Sequence, residues 1–259
     1  MSRSSDDGGQ WEPARDITHQ VKKEWMRFLG TGPGSGIQLR SGEHAGRLLV
    51  PVYFNNSVAP GGVYSSGVIF SDDGGQTWEL GGSPNDGRVI DGVTITTETM
   101  TTRKGATHEP TIVENERGEI VMYMRNPGPK ILRSVSSDGG ATFSAPVAIP
   151  DVPDIFSQPN AIHITSPEVL GSAIVFSNAS KRFLGDSGRR NERGRGVLRI
   201  SEDGGNDFDY NRVFRPGSYV YSSMTELPNG NIGLLWEMEW DGIYYSEVPV
   251  SWIRHGRMR

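Results

Sequence analysis

An eight-residue pattern, Ser-x-Asp-x-Gly-x-Thr-Trp, returns along this chain at a nearly constant interval and constrains its fold more than any other feature. It reads Ser-Asp-Asp-Gly-Gly-Gln-Thr-Trp at 71–78, Ser-Ser-Asp-Gly-Gly-Ala-Thr-Phe at 136–143 and Ser-Glu-Asp-Gly-Gly-Asn-Asp-Phe at 201–208, with a worn copy at 5–11. The starts Ser5, Ser71, Ser136 and Ser201 lie 66, 65 and 65 residues apart. Self-similarity at a fixed period of this size marks an architecture built from one repeated supersecondary unit. Within the pattern the Asp can bond the backbone of the residues after it, the Gly supplies a positive φ, and the aromatic re-enters an apolar layer. Asp7, Asp73, Asp138 and Asp203 are therefore read as structural residues of a turn between two strands. A calcium loop needs more oxygen ligands than these turns carry, including a late bidentate Glu.

The spacing between the turns agrees with an all-β chain. Short apolar or alternating runs at 47–53, 119–124, 172–176 and 231–236 recur once per unit, each behind a glycine-containing turn. One helical candidate is expected, at 18–28. The 34 Gly and 16 Pro punctuate the sequence too often for long helices. A sandwich or a propeller fits this composition, and strands recurring once per unit are what four-stranded propeller blades about a central axis would give; nothing between them reads as a linker, so residues 1–259 are taken as one domain. The net charge of −5 argues against nucleic acid as a partner, because phosphate backbones need an excess of positive field. The absence of cysteine excludes disulfides and thiolate metal sites. The amino-terminal residues lack the apolar core of a signal peptide, and no apolar run approaches the length of a membrane span. The chain is read as soluble.

The repeated turn resembles the Asp box of sialidases. The likeness extends to Gly32-Pro33-Gly34-Ser35-Gly36-Ile37-Gln38-Leu39 followed by Gly46-Arg47-Leu48-Leu49-Val50-Pro51, a segment similar to one in bacterial sialidases, and it covers the chain from the first box to about Trp252. The resemblance implies a six-bladed propeller, of which this chain supplies about four blades, with the boxes on outer turns away from the catalytic pocket. It also implies sialylated glycans as partners, no cofactor or metal, and a secreted or cell-surface location.

A sialic acid carries a carboxylate on its anomeric carbon, so arginines come first: guanidinium groups grip a carboxylate through paired hydrogen bonds and keep their charge. Arg125 ends the apolar run 121–124, where the family pattern has a carboxylate-gripping Arg. Glu109, 16 residues earlier in Thr107-His108-Glu109-Pro110-Thr111, matches the family's base. His108 lacks a HExxH partner and is read as a supporting group. Tyr221 matches the family's nucleophile; alternation would put Tyr219 on the same face, and the family register selects Tyr221. A neutral phenol avoids the repulsion that a carboxylate nucleophile would meet from the substrate carboxylate, and it needs an adjacent base because its ordinary pKa is about 10. For the second guanidinium, Arg190 fits the family motif best, with Arg189 and Arg193 as rivals. Phe156 and Gln158 match a loop that touches the sugar in related enzymes.

The sequence also departs from the family. A further Arg in an Arg-Ile-Pro-like motif and an Asp acid/base, both ahead of the first intact box in sialidases, have no counterpart here. The opening Met falls inside a box, so the chain is expected to be the C-terminal two thirds of a catalytic domain and to self-associate through exposed blade faces. Three readings compete: a retaining exo-α-sialidase, an intramolecular trans-sialidase using the same residues, and a non-catalytic sialic-acid-binding or structural propeller fragment.

Overall fold

The computed structural model describes residues 1–59, 61, 63–169, 171–183 and 192–256. Their strands form four antiparallel blades in chain order, each running from an innermost strand outward. In the first blade Met26–Thr31 and Ile37–Gln38 both pair with Leu48–Asn56, followed by Tyr64–Ser71 and Glu79–Leu80. The second contains His108–Glu114, Ile120–Arg125, Lys130–Ser136 and Val147–Pro153. The third contains Asn160–Ile164, Ala173–Phe183, Glu192–Ser201 and Tyr210–Ser218, and the fourth Ser222–Glu226, Ile232–Met238 and Gly242–Val248. Successive innermost strands touch one another, as a propeller requires.

Alternation explains why the second strand of each blade reads as an almost unbroken apolar run. In Ile120–Arg125, Val121 and Tyr123 pack toward the third blade, while Ile120, Met122 and Met124 pack toward the first. A strand with both faces buried between neighbours has no polar face to show. Val175 and Ala179 likewise face the fourth blade, and Ile174 and Phe176 face the second.

Each of the three later boxes joins a third strand to a fourth. Ser71 Oγ donates to Asp73 Oδ1 at 2.8 Å, and the Gly75 and Thr77 N–H groups donate to Ser71 Oγ and Asp73 Oδ1 at 2.8 Å each. The same closure recurs at Ser136–Asp138 and Ser201–Asp203. Trp78 latches into the first blade's core and donates Nε1–H to the Gly75 carbonyl.

Two expectations are corrected. In the first box the closing residues are Ser4 and Asp6, not Ser5 and Asp7: Ser4 Oγ donates to Asp6 Oδ1, and the Gly8 and Gln10 N–H groups donate to Ser4 Oγ and Asp6 Oδ1. Asp7 takes the place that Gly74, Gly139 and Gly204 hold in the other copies, with φ 54° against their 68°, 66° and 77°. The helix expected at 18–28 is only Thr18–Val21, because the backbone of Met26–Thr31 pairs with the first blade. A second short helix, Val250–Arg254, follows the fourth blade. Among the described residues no helix is long and apolar enough to cross a membrane.

Candidate active site

Antiparallel order sorts the chemistry onto one rim. Innermost strands begin, and second strands end, at the same end of each blade, while the boxes close third strands at the opposite end. Glu109 therefore opens the innermost strand of the second blade, Arg125 ends the strand beside it, and Tyr221 immediately precedes the innermost strand of the fourth. Asp73, Asp138 and Asp203 lie on the far rim.

Glu109 sits on a β-bulge between the His108–Arg125 and Thr111–Tyr123 pairs, with φ 31°. A bulge re-aims a side chain, and positive φ in a non-glycine residue is strain held by its surroundings. The glycine-rich stretch contributes to that support: a Cβ on Gly32 would lie 2.9 Å from the Pro110 carbonyl oxygen, so only glycine lets this backbone pass so closely behind Glu109.

The Tyr221 hydroxyl lies 2.9 Å from each carboxylate oxygen of Glu109. Arg125 Nη1 donates to Glu109 Oε2 and, at 2.9 Å, to the Tyr221 hydroxyl oxygen. Burial raises the Tyr221 pKa, the Glu109 charge raises it further, and Arg125 opposes both. The phenol is thus protonated at neutral pH and its proton already faces a carboxylate. Tyr219 is fully buried, hydrogen-bonded to Ser177 and stacked on Trp236.

Arg190 and its rival Arg189 lie outside the described residues. Arg193 stands at this rim, its guanidinium carbon 5.3 Å from the Tyr221 ring centroid. Glu239 holds it at 3.1 Å from Nε and 3.0 Å from Nη2, and also accepts the Arg193 backbone N–H. Fixing both donors with a carboxylate orients the planar guanidinium.

Phe156, at φ 64°, lies under the Arg125 guanidinium, 3.7 Å from ring centroid to Cζ. Asp154 fixes this arrangement: one oxygen accepts the Asn126 backbone and side-chain N–H groups, and the other accepts the Phe156 N–H. Burial pushes the Asp154 carboxyl up to about 6 despite these bonds. Gln158 is fully buried, and among the described residues neither its amide oxygen nor its nitrogen has a hydrogen-bond partner. His108 packs edge-on to Phe156 and against Tyr64, and burial, aided by Arg125, lowers its pKa to about 4. It is a neutral ring at physiological pH. Asp154 and Glu239 escaped the sequence reading. The signal for Glu239 was an acid alternating through Trp236-Glu237-Met238-Glu239; for Asp154 it was an Asp two residues before an aromatic in a turn.

Fold and rim together define a β-propeller of the Asp-box class with a tyrosine, a carboxylate and two arginines gathered at one end of its axis. The BNR repeat-like domain family matches residues 1–234, and the chain belongs to it. A sialidase of Micromonospora viridifaciens is 30% identical across 96% of this chain and 35% of its own length. An anhydrosialidase of the leech Macrobdella decora is 31% identical across 92% and 29%. The chain thus spans about a third of the length of these curated relatives. The crystal structure of an intramolecular trans-sialidase from Ruminococcus gnavus superposes with a TM-score of 0.75 at 30% identity, covering 98% of this chain and 50% of that one. Sequence and fold both place the chain among sialidase-type propellers.

Proposed function

We propose that residues 1–259 form part of a sialidase catalytic domain that cleaves terminal sialic acids with retention through a tyrosyl intermediate. The observation that carries this reading is the contact of the Tyr221 hydroxyl with both oxygens of Glu109, beside Arg125. In this scheme Arg125 and Arg193 hold the substrate carboxylate. Tyr221 attacks the anomeric carbon while its proton passes to Glu109, and the leaving oxygen departs from the opposite side. A neutral nucleophile suits a carbon that already bears a carboxylate. Protonation of the leaving oxygen by a general acid contributes roughly a hundred- to ten-thousand-fold in chemistry of this kind. Activated aryl sialosides, which need little protonation, are the substrates that report most directly on Tyr221 and Glu109.

A second reading, intramolecular transfer, is favoured by the leech anhydrosialidase and the Ruminococcus gnavus trans-sialidase among the similar proteins. In it a hydroxyl of the bound sugar, rather than water, resolves the intermediate. NMR of the first-formed product from an aryl α-sialoside separates the outcomes. An α-configured free sugar supports hydrolysis with retention, a 2,7-anhydro sugar supports transfer, and a β-configured first product contradicts both.

A further inference from the structure

The connection between the first and second blades carries a two-stranded ribbon, Val89–Ile90 with Val93–Thr94, and a 3-10 turn, Arg103–Gly105. It faces the loop at 126–129, which starts one residue past Arg125 and lies on the same rim as the candidate active site. Between them runs an open cleft of about 480 Å³. Arg88, Arg103, Lys104 and Lys130 line it, with no Asp or Glu among the lining residues. In a chain of net charge −5 this is a local concentration of positive field. Lys104 is paired with Asp91, both side chains largely exposed, but no ion pair engages Arg88, Arg103 or Lys130 among the described residues. Arg88 is half-buried, its pKa lowered by desolvation, and its Nη1 bonds only neutral oxygens, of Asn85 and Gly105. The floor is apolar, built from Pro127, Pro129 and Leu132.

We propose that this cleft is a second saccharide site, taking a pyranose that bears a carboxylate or a sulfate. The apolar floor fits the C–H face of a sugar ring, and the cationic rim fits its anionic substituent. The exposed guanidinium of Arg103 faces that group, and the Lys104 ammonium, in an exposed pair with Asp91, reaches it by exchanging that partner. Such a sugar has two sources: a further acidic residue of the glycan whose terminal sialic acid occupies the catalytic rim, or a separate acidic glycan. Only the first source rests on the sialidase reading.

The test is an NMR titration with chondroitin 4-sulfate disaccharide, which contains no sialic acid. Amides at 103–104 and 126–130 should shift, the affinity should fall with added salt, and Arg103→Gln with Lys104→Gln should weaken binding about tenfold, while lactose should not bind. Unmoved amides, equal affinity in the double variant, or equal binding of lactose overturns the proposal. A second arm compares α2,8-linked disialic acid with the monosaccharide on Tyr221→Phe protein. A preference for the disaccharide that the cleft variant abolishes identifies one glycan spanning both sites; no preference, with the sulfated disaccharide still bound, identifies a separate glycan. If neither sialic acid ligand perturbs Arg125 in Tyr221→Phe protein while the sulfated disaccharide still shifts 103–104 and 126–130, the catalytic reading fails and the cleft stands.

Discussion

Tyr221 and Glu109 meet with the phenol oxygen equidistant, at 2.9 Å, from both carboxylate oxygens, although 112 residues separate them in sequence. This geometry assigns the Tyr221 proton an acceptor before any substrate arrives. Glu109→Gln should therefore lower turnover of an activated aryl sialoside by roughly a hundred- to ten-thousand-fold while changing the affinity for free sialic acid by less than about threefold. Steady-state kinetics and calorimetry check the two halves. A loss of binding equal to the loss of turnover would make Glu109 a binding residue instead.

Arg193 is held by two bonds from Glu239. If it grips the substrate carboxylate, Arg193→Lys should weaken sialic acid binding about tenfold, because an ammonium cannot reproduce the paired hydrogen bonds. Glu239→Gln should weaken it less, by freeing the guanidinium to turn. Unchanged affinity in Arg193→Lys would transfer the role to another cation.

Asp154 and His108 give the rim opposing acid responses. His108, held down at about 4 against an ordinary 6.5, makes the unfolded chain take up its proton first, so native stability falls as pH drops from 6.5 toward 4. Asp154, pushed up to about 6 against 3.8, has the opposite sign: its contribution is fully present below about 3.8 and is lost as pH rises through 6. Between pH 6 and 4 the two partly cancel. Asp154→Asn should leave the His108 effect unopposed, steepening the acid loss by about 1–2 kcal/mol at pH 4.5, and His108→Gln should flatten or reverse it. Urea unfolding across this range measures both.

The box residues divide by burial. Trp78 is 6% exposed and Trp11 64% exposed. Trp78→Ala should cost about 3–5 kcal/mol, whereas Trp11→Ala should stay within about 0.5 kcal/mol. In the first box, Asp6→Ala should remove hydrogen-exchange protection at the Gln10 amide, while Asp7→Gly should keep it, since glycine accepts the positive φ more readily.

The fourth blade shows Leu235, Ile243 and Tyr245 on one exposed face, and its strand Gly242–Val248 has no partner on its outer side among the described residues. Flat apolar edges invite pairing. The chain should self-associate with rising concentration in sedimentation velocity, and Ile243→Lys with Tyr245→Lys should reduce it. A concentration-independent monomer in the parent chain contradicts this expectation.

Much of the architecture was legible because the boxes are local. A Ser, an Asp and a Gly at fixed offsets close one turn with their own atoms, so the period announces the blades. The first box misled by one residue because Ser4-Ser5 and Asp6-Asp7 allow two registers, and only the hydrogen bonds choose between them. The apolar spacing at 18–28 suits a helix, but pairing of Met26–Thr31 with Leu48–Asn56 overrides it. Arg193 could not be told from its neighbours in sequence, since its partner Glu239 lies 46 residues away on another blade. Asp154 is informative only once Asn126 and Phe156 are seen to converge on it.

The central claim, that Tyr221 is the nucleophile, is tested most directly by trapping. A 2,3-difluorinated sialic acid loses fluoride without needing a proton, so the reaction does not depend on a general acid, and the fluorine beside the anomeric carbon slows breakdown of the adduct. Peptide mass spectrometry of the treated chain should find the sugar on Tyr221, with slower labelling in Glu109→Gln and none at this site in Tyr221→Phe. A label on Glu109 or elsewhere, or an unlabelled Tyr221 when calorimetry shows the ligand bound, would contradict the account.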